Sequence, residues 1–451
     1  MTMNRRTALL TGAAITSGAL LSACATVTQP VGRAQPSAFV TVVGHGFERN
    51  GKPYRYAGAN IWYGAWLGAD TAYGNRARLA RELDRLKALG VRNLRILGSA
   101  ELSPLKNSIT PGFRDQSATY NEDLLKGLDW TLAEMAKRDM TGVIYLTNFW
   151  EWSGGMMTYL SWVNGGKFIN MNDPAHPWPE FADWNAAFYT NGQAQAMYRD
   201  YIRAVVSRTN TVTGVAYAAD PTIMAWQLAN EPRPAGGDKV AVPNLSHFYR
   251  WIDETARYIK TLDPHHLVST GSEGLKGSIE REDVVLAAHK SPSIDYLTTH
   301  IWPNNWTWMD AGNLAGTYDA GAAKVATYID AHIRLATTLG KPLVIEEFGY
   351  PRDGQAAYDP FITTEYKDRF YRQIYAAIEA NAKAGGPLAG SNFWAWNGEA
   401  RTPHADHRFQ RGDLGYMGDP PHEPQGWYGV FDSDASTQAV IRAHAVAMAA
   451  L

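Results

Sequence analysis

Ala225-Trp226-Gln227-Leu228-Ala229-Asn230-Glu231-Pro232 is an apolar run of strand length that stops on a carboxylate and breaks at proline. Leu343-Val344-Ile345-Glu346-Glu347-Phe348-Gly349 repeats the pattern further along the chain. Short apolar runs between breakers read as strands buried on both faces, as parallel sheets use them. Outward from these two, similar runs fall at residues 56–61, 91–97, 142–148, 222–229, 267–271, 294–301, 342–347 and 391–396. Helical spacing fills the gaps between many of them. Leu79, Leu83, Leu86 and Leu89 end at Gly90; further sets are Leu124, Leu128, Leu132 and Met135, then Phe248, Ile252, Ala256 and Ile259, then Phe370, Ile374 and Ile378. Eight strands alternating with helices predict an α/β fold, a closed (β/α)8 TIM barrel rather than an open sheet. A hairpin turning at Asn50-Gly51, between Phe47 and Tyr54, should precede it.

The connections are lopsided. Helix-to-strand links are short, as at Leu89-Gly90-Val91 and Leu339-Gly340-Lys341. Strand-to-helix links are long and aromatic: 149–191 carries Trp150, Trp152, Trp162, Trp178 and Trp184, 302–319 carries Trp302, Trp306 and Trp308, and 397–435 follows the eighth strand. Long ordered loops on the C-terminal face of a barrel predict a binding cleft there. The 451 residues are 45% apolar, enough for one large core, and no internal repeat marks a second domain. With 42 basic and 44 acidic residues, the net charge of −2 leaves no basic stripe for nucleic acid. Sixteen Trp and 23 Tyr exceed what packing alone demands. Flat aromatic faces that stack on sugar C–H groups point to a neutral carbohydrate partner.

The N-terminus reads as an export signal, Arg5-Arg6 followed by an uncharged stretch from Thr7 to Leu21 that is short for a membrane span. Leu21-Ser22-Ala23-Cys24 resembles a lipobox, which implies lipidation of Cys24, the chain's only cysteine. Residues 1–24 are then a signal peptide, 25–37 a tether and 38–451 the barrel domain. The arginine pair resembles a twin-arginine signal. Ala25 after the cysteine favours the outer membrane, so the membrane is met only through the lipid anchor. Without disulfides, the mature chain draws its stability from its core.

Glu231 and Glu347 end two well-separated strands and so face one another across the barrel mouth. A lone glutamate at a strand end is ordinarily a solvated charge or half of a salt bridge. Two together supply what glycoside hydrolysis requires, an acid to protonate the leaving oxygen and a carboxylate to attack or to activate water. Strand alternation sends the rival Glu346 to the opposite face.

Asn230-Glu231-Pro232 and Glu347-Phe348-Gly349 resemble the two signatures of glycoside hydrolase family 5, a retaining (β/α)8 family. Thr299-His300-Ile301-Trp302-Pro303, Asn392-Phe393-Trp394-Ala395-Trp396 and Gly426-Trp427-Tyr428-Gly429-Val430-Phe431-Asp432 narrow the resemblance to the β-mannanase branch, subfamily 7. It runs from about residue 38 to the end and implies a retaining endo-β-1,4-mannanase acting on mannan or manno-oligosaccharides without a cofactor. By position, Glu231 becomes the acid/base and Glu347 the nucleophile. Asn230 would hydrogen-bond the sugar 2-hydroxyl, Arg95 would keep the nucleophile ionised, and His300 would join the network around the acid/base. Trp394 would be the platform under the reacting sugar, with Trp396 as its alternate. Trp302 stands where many relatives have a tyrosine that hydrogen-bonds the nucleophile, so either its indole substitutes or the nucleophile is tuned otherwise. Asn148, Trp150, Glu273 and Trp62 are candidate subsite residues.

His404, Asp406, His407, His422 and Glu423 lie close in sequence but match no zinc spacing, so no metal is predicted and a solvated loop cluster is the reading kept. The same scaffold also serves exo-β-mannosidases and endo-β-1,4-glucanases, because loops read chain position and the axial hydroxyl. The long insertions at 149–191 and 397–435 are of the kind that block a cleft end. A non-catalytic glycan-binding lipoprotein is the reading from another class; retention of Glu231, Glu347, Asn230 and Arg95 together argues against it.

Overall fold

The computed structural model describes residues 37–359 and 361–451. The signal peptide, Cys24 and nearly all of the tether lie outside the described residues. Eight parallel strands form one sheet: β1 (Tyr56–Asn60), β2 (Asn93–Leu97), β3 (Thr141–Tyr145), β4 (Ile223–Gln227), β5 (Leu267–Ser269), β6 (Leu297–Ile301), β7 (Leu343–Phe348) and β8 (Leu388–Phe393). Ladder order runs β5-β4-β3-β2-β1-β8-β7-β6. The remaining seam, between β5 and β6, is closed by individual bonds. Asp295 N–H donates to the Val268 carbonyl at 2.8 Å, the Thr298 hydroxyl to Ser272 at 2.7 Å and the Thr299 hydroxyl to Glu273 at 3.0 Å. The barrel predicted from the sequence is the fold observed.

Local chemistry explains the regular elements. The helix Arg76–Ala88 starts where the Asn75 side chain accepts from the Arg78 N–H and stops before Gly90, whose φ of 84° is the left-handed conformation that ends helices. Leu314–Leu339 stops at Gly340 in the same way, at φ 67°. The expected hairpin turns at Asn50 (φ 55°) and Gly51 (φ 72°), two positive φ values in succession as a two-residue turn requires. A third strand, Thr41–Val43, joins it. This small sheet caps the N-terminal mouth: Val40, Phe47 and Tyr54 pack with Tyr56, Val143, Met224, Leu267, Tyr296 and Val344 from the strand starts.

One detail differs from expectation. The eighth strand begins and ends three residues earlier, so Trp396 belongs to a separate short strand, Trp396–Gly398, paired with Val430–Phe431. The loop after β3 holds the helices Gly155–Val163 and Glu180–Asn185. Among the described residues, no helix is long and apolar enough to cross a membrane.

Candidate active site

The chain turns sharply after β4. Glu231 has φ 50°, a left-handed conformation that costs a non-glycine residue about 1–2 kcal/mol. Backbone bonds on both sides hold it there: Asn230 N–H donates to Thr147 and Glu231 N–H to Gly271, each at 2.9 Å. The turn re-aims a side chain that would otherwise follow strand alternation.

On β7 the alternation itself fails. The register with β6 slips between Ile345 and Glu347, so Glu346 occupies a bulge. A bulge admits one extra residue and redirects its side chain. The expected opposite facing of the two glutamates is therefore corrected: both are buried and both turn inward. Glu347 meets the Arg95 guanidinium at the floor of the pocket. Glu346 lies beneath, and both of its oxygens accept from the Gln227 amide at 2.6 Å.

Arg95, fully buried, organises the floor. Besides Glu347 it donates to Gln227 at 2.9 Å, Asn60 at 3.2 Å and Asn230 at 2.8 Å. Its guanidinium lies 4.4 Å from the centroid of the Tyr145 ring. His300 Nδ1 stands between the two catalytic candidates, 2.6 Å from Glu231 and 3.3 Å from Glu347. The Trp150 indole donates to the other Glu231 oxygen at 2.5 Å. Oxygen atoms of Glu231 and Glu347 lie within 4.8 Å of each other. With His300 Nδ1 they are close enough to grip a cation, but Arg95 already supplies the positive charge and Nδ1 is already engaged.

Burial shapes the protonation states. It pushes the Glu347 carboxyl up to about 7, against the opposing pull of His300 and Arg95. Burial disfavours a charged His300, yet Glu347, Glu231 and Glu346 hold its titration up to about 10. Burial also pushes Glu231 up, but the His300 hydrogen bond and charge, Arg233 and the Trp150 indole outweigh it and hold the carboxyl below its ordinary value. Glu231, His300 and Glu347 therefore titrate together and not as independent groups.

The pocket above this floor encloses about 610 Å³. Its walls come from the loops after β3 (Trp150, Trp152, Met171, Trp178), β4 (Arg233), β5 (Glu273, Lys276), β6 (Trp302, Asn305, Trp306) and β8 (Trp394, Pro420, His422, Glu423). Among the described residues, none from the loops after β1 and β2 reaches it. The insertion after β8 covers that side: Arg411 donates to the Ser103 and Leu105 carbonyls at 3.1 and 3.3 Å, and the Trp62 indole donates to Gly418 at 2.9 Å. Asp419 fixes the insertion by accepting from the Gly426, Tyr428 and Gly429 N–H groups and the Asn397 amide.

Glu231, Glu347, Asn230, Trp150, Trp302, Trp394 and Glu273 all line the pocket, and Arg95 and His300 support it from below. Two candidates stand behind the pocket lining. Trp62 is buried against Trp66, Trp152 and Tyr416 behind the wall and is not among the residues that line this pocket. Asn148 is also buried; its oxygen accepts from Asn230 at 3.1 Å and so orients that residue. Trp396 is packing, fully buried with its indole donating to Glu82 at 2.8 Å, whereas Trp394 lines the pocket. Trp302 makes no hydrogen bond to Glu347 among the described residues. It packs edge-on against Trp394 and Tyr428 instead, and His300 and Arg95 are what draw the Glu347 carboxyl down against its burial.

The loop histidines separate as well. His404 pairs with Asp413 at 2.9 Å, but His422 and Glu423 are largely buried. They form the end wall, and burial, reinforced by Asp419, Glu347 and Glu231, pushes the Glu423 carboxyl well up. Sequence reading missed this pair and Arg233, whose guanidinium bridges the Trp150 and Trp178 rings at 5.0 and 5.3 Å while pairing with Glu273. Its place two residues after Glu231 was the available signal for Arg233.

Comparison with known proteins agrees with this geometry. A model of glycoside hydrolase family 5 beta-mannosidase-like proteins matches residues 37–451. Mannan endo-1,4-beta-mannosidase 1 of Arabidopsis thaliana is 31% identical over 372 residues, covering 79% of this chain and 82% of its own. Mannan endo-1,4-beta-mannosidase 4 of Solanum lycopersicum is 29% identical over 381 residues, with 82% and 86% covered. The family 5 mannosidase of Rhizomucor miehei, in a mutant complexed with mannosyl-fructose, superposes with a TM-score of 0.83 at 34% identity over 92% of this chain and 98% of that one. The endo-1,4-beta-mannanase of the same organism gives 0.65 at 24% identity, over 92% of this chain and all of that one, a likeness of fold. A chain that the family's model matches from end to end of the barrel, with two inward carboxylates at the floor of its pocket, is a glycoside hydrolase belonging to the beta-mannosidase-like group of family 5.

Proposed function

We propose that this enzyme hydrolyses β-1,4-mannosidic bonds of mannans and manno-oligosaccharides by double displacement with retention. One observation carries the chemistry: oxygens of Glu231 and Glu347 stand within 4.8 Å, a separation with no room for the water an inverting pair must hold between sugar and base. Glu231 protonates the departing oxygen while Glu347 attacks the anomeric carbon. Water deprotonated by Glu231 then releases the sugar from Glu347. Asn230, held by Arg95 and Asn148, presents its polar end at the pocket floor for the 2-hydroxyl. The substrate class rests on the mannan-acting names of the curated relatives and on the mannosyl-fructose bound by the Rhizomucor mannosidase. The β8 and β6 motifs favour subfamily 7.

The cleft shape favours attack at a chain end. The leaving group departs on the side of its proton donor, and that side, with Arg233, Trp178 and Lys276, is the lined one. The opposite side, where further sugars of a mid-chain substrate would run past the nucleophile, lies under the insertion after β8. An endo mode is the second reading, favoured by the names of the curated relatives. Product analysis on mannan and mannohexaose separates them: mannose released stepwise supports the chain-end reading, a ladder of short oligosaccharides the endo reading, and no product from any mannoside overturns both. Export as a lipoprotein anchored at Cys24 rests on the lipobox-like Leu21-Ser22-Ala23-Cys24. Labelled palmitate incorporated into the wild type but not into Cys24→Ala supports it, and equal absence from both refutes it.

A further inference from the structure

Glu346 is a third buried carboxylate in the reaction floor, and the mechanism above gives it no task. A bulge in β7 turns it inward. It accepts from Gln227 with both oxygens and lies 3.6 Å from Arg95 Nε. Its nearest approach to His300 is 3.9 Å, at Nε2, a buried nitrogen with no hydrogen-bond partner of its own. The His300 ring is therefore enclosed by acid groups, with Glu231 and Glu347 at Nδ1 and Glu346 at Nε2.

We propose that Glu346 is a positioning residue that acts through His300: its charge below the ring keeps the imidazole protonated, so that Nδ1 stays a cationic donor to Glu231 and Glu347. The inference rests on the assignment of Glu231 and Glu347 as the catalytic pair. Charge balance in the dry floor leads to it. Arg95 and His300 bring two positive charges, and Glu346 and Glu347 bring two negative ones. That sum is neutral with Glu231 protonated, the state in which the first step begins. Without Glu346 the same neutrality is reached by releasing the proton of His300, the cation that Glu346 faces at 3.9 Å. The other groups facing this cluster do not alter the balance. Glu273 is matched by Arg233, and Tyr56, Tyr145 and Tyr296 are phenols pushed upward by burial. From the loop after β8, burial holds His422 down to about 4 and pushes Glu423 up, so both face the site neutral.

The test is Glu346→Gln, which preserves shape and one acceptor for Gln227. Once that charge is gone His300 gives up its proton, Glu231 loses the cationic donor that holds its carboxyl down, and the basic limb of the kcat/KM profile moves to higher pH by about one unit or more. Glu346→Asp should restore it. A basic limb that stays in place, whether or not kcat falls uniformly, overturns the proposal and leaves a structural role. The wild type gives an independent reading in case the variant does not fold. In protein with ¹⁵N-labelled imidazoles, His300 (assigned by its loss in His300→Gln) should carry protons on both nitrogens at pH 8, and a neutral ring there also overturns the proposal. Full activity in Glu231→Ala or Glu347→Ala would instead strike the underlying assignment.

Discussion

Replacing Trp150 by phenylalanine removes one donor from the acid/base and little else. The indole donates to Glu231 at 2.5 Å, a bond that favours the ionised carboxylate left once the proton has gone to the leaving oxygen. A phenyl ring keeps the stack on Phe181, now at 6.0 Å and 9°, and the face over which Arg233 lies. A hydrogen bond to a charged group is worth about 1.5–3 kcal/mol, which becomes about 10- to 150-fold in rate if it is made fully in the transition state. That loss should depend on the leaving group. Mannobiose needs a protonated leaving oxygen and should show the full decrease in kcat/KM. 2,4-Dinitrophenyl β-mannoside departs almost unaided and should hydrolyse near the wild-type rate. The basic limb of the mannobiose profile should also rise, since losing a donor to the ionised form raises the Glu231 pKa. Equal losses on both substrates, or none on either, would refute the role given to this bond.

Other perturbations test the remaining parts. Glu347→Ala should lose hydrolysis by about 10⁴-fold or more while still binding mannotriose by calorimetry, and an active variant would contradict the nucleophile. Replacing residues 403–414 with a short turn removes Arg411 from the Ser103 and Leu105 carbonyls, so mannan digestion should begin to yield internal fragments at an unchanged aryl-mannoside rate. His332 donates from Nδ1 to Tyr328 at 2.7 Å and accepts at Nε2 from Leu275 N–H at 3.0 Å, a neutral ring that burial holds down to about 4. The unfolded chain takes up that proton below about pH 6.5 and the folded chain does not, so this residue removes up to about 3 kcal/mol of stability between pH 6.5 and 4 and nothing above. Denaturation midpoints at pH 7 and 4.5 should differ less in His332→Gln than in the wild type.

The barrel and its two glutamates were legible because they rest on local rules. Strand-length apolar runs, glycines after helices and a carboxylate before a breaker each leave a mark in a short window. Arg95 was legible for the same reason, as a charge ending an apolar strand. What failed depends on contacts between distant segments. The bulge at Glu346 is a slip against β6, and alternation predicts the opposite. Trp62 looks like Trp150 in sequence, both aromatic after a strand, yet Gly418, far along the chain, accepts its indole and walls it off. His422 and Glu423 read as solvated because their neighbours are polar; Asp419 folds that stretch over the pocket. The cleft's closed end was only foreshadowed by the length of the insertion, because nothing in 397–435 says which loop it will cover.

The stereochemistry of the first product tests the central claim most directly. Proton NMR in the first minutes of mannotriose or 4-nitrophenyl β-mannoside hydrolysis resolves the two mannose anomers before mutarotation mixes them. The pairing of Glu231 with Glu347 across less than 4.8 Å predicts that β-mannose appears first and the α anomer only later. Initial release of α-mannose would mean a single displacement by water, and the roles assigned to both glutamates would be wrong.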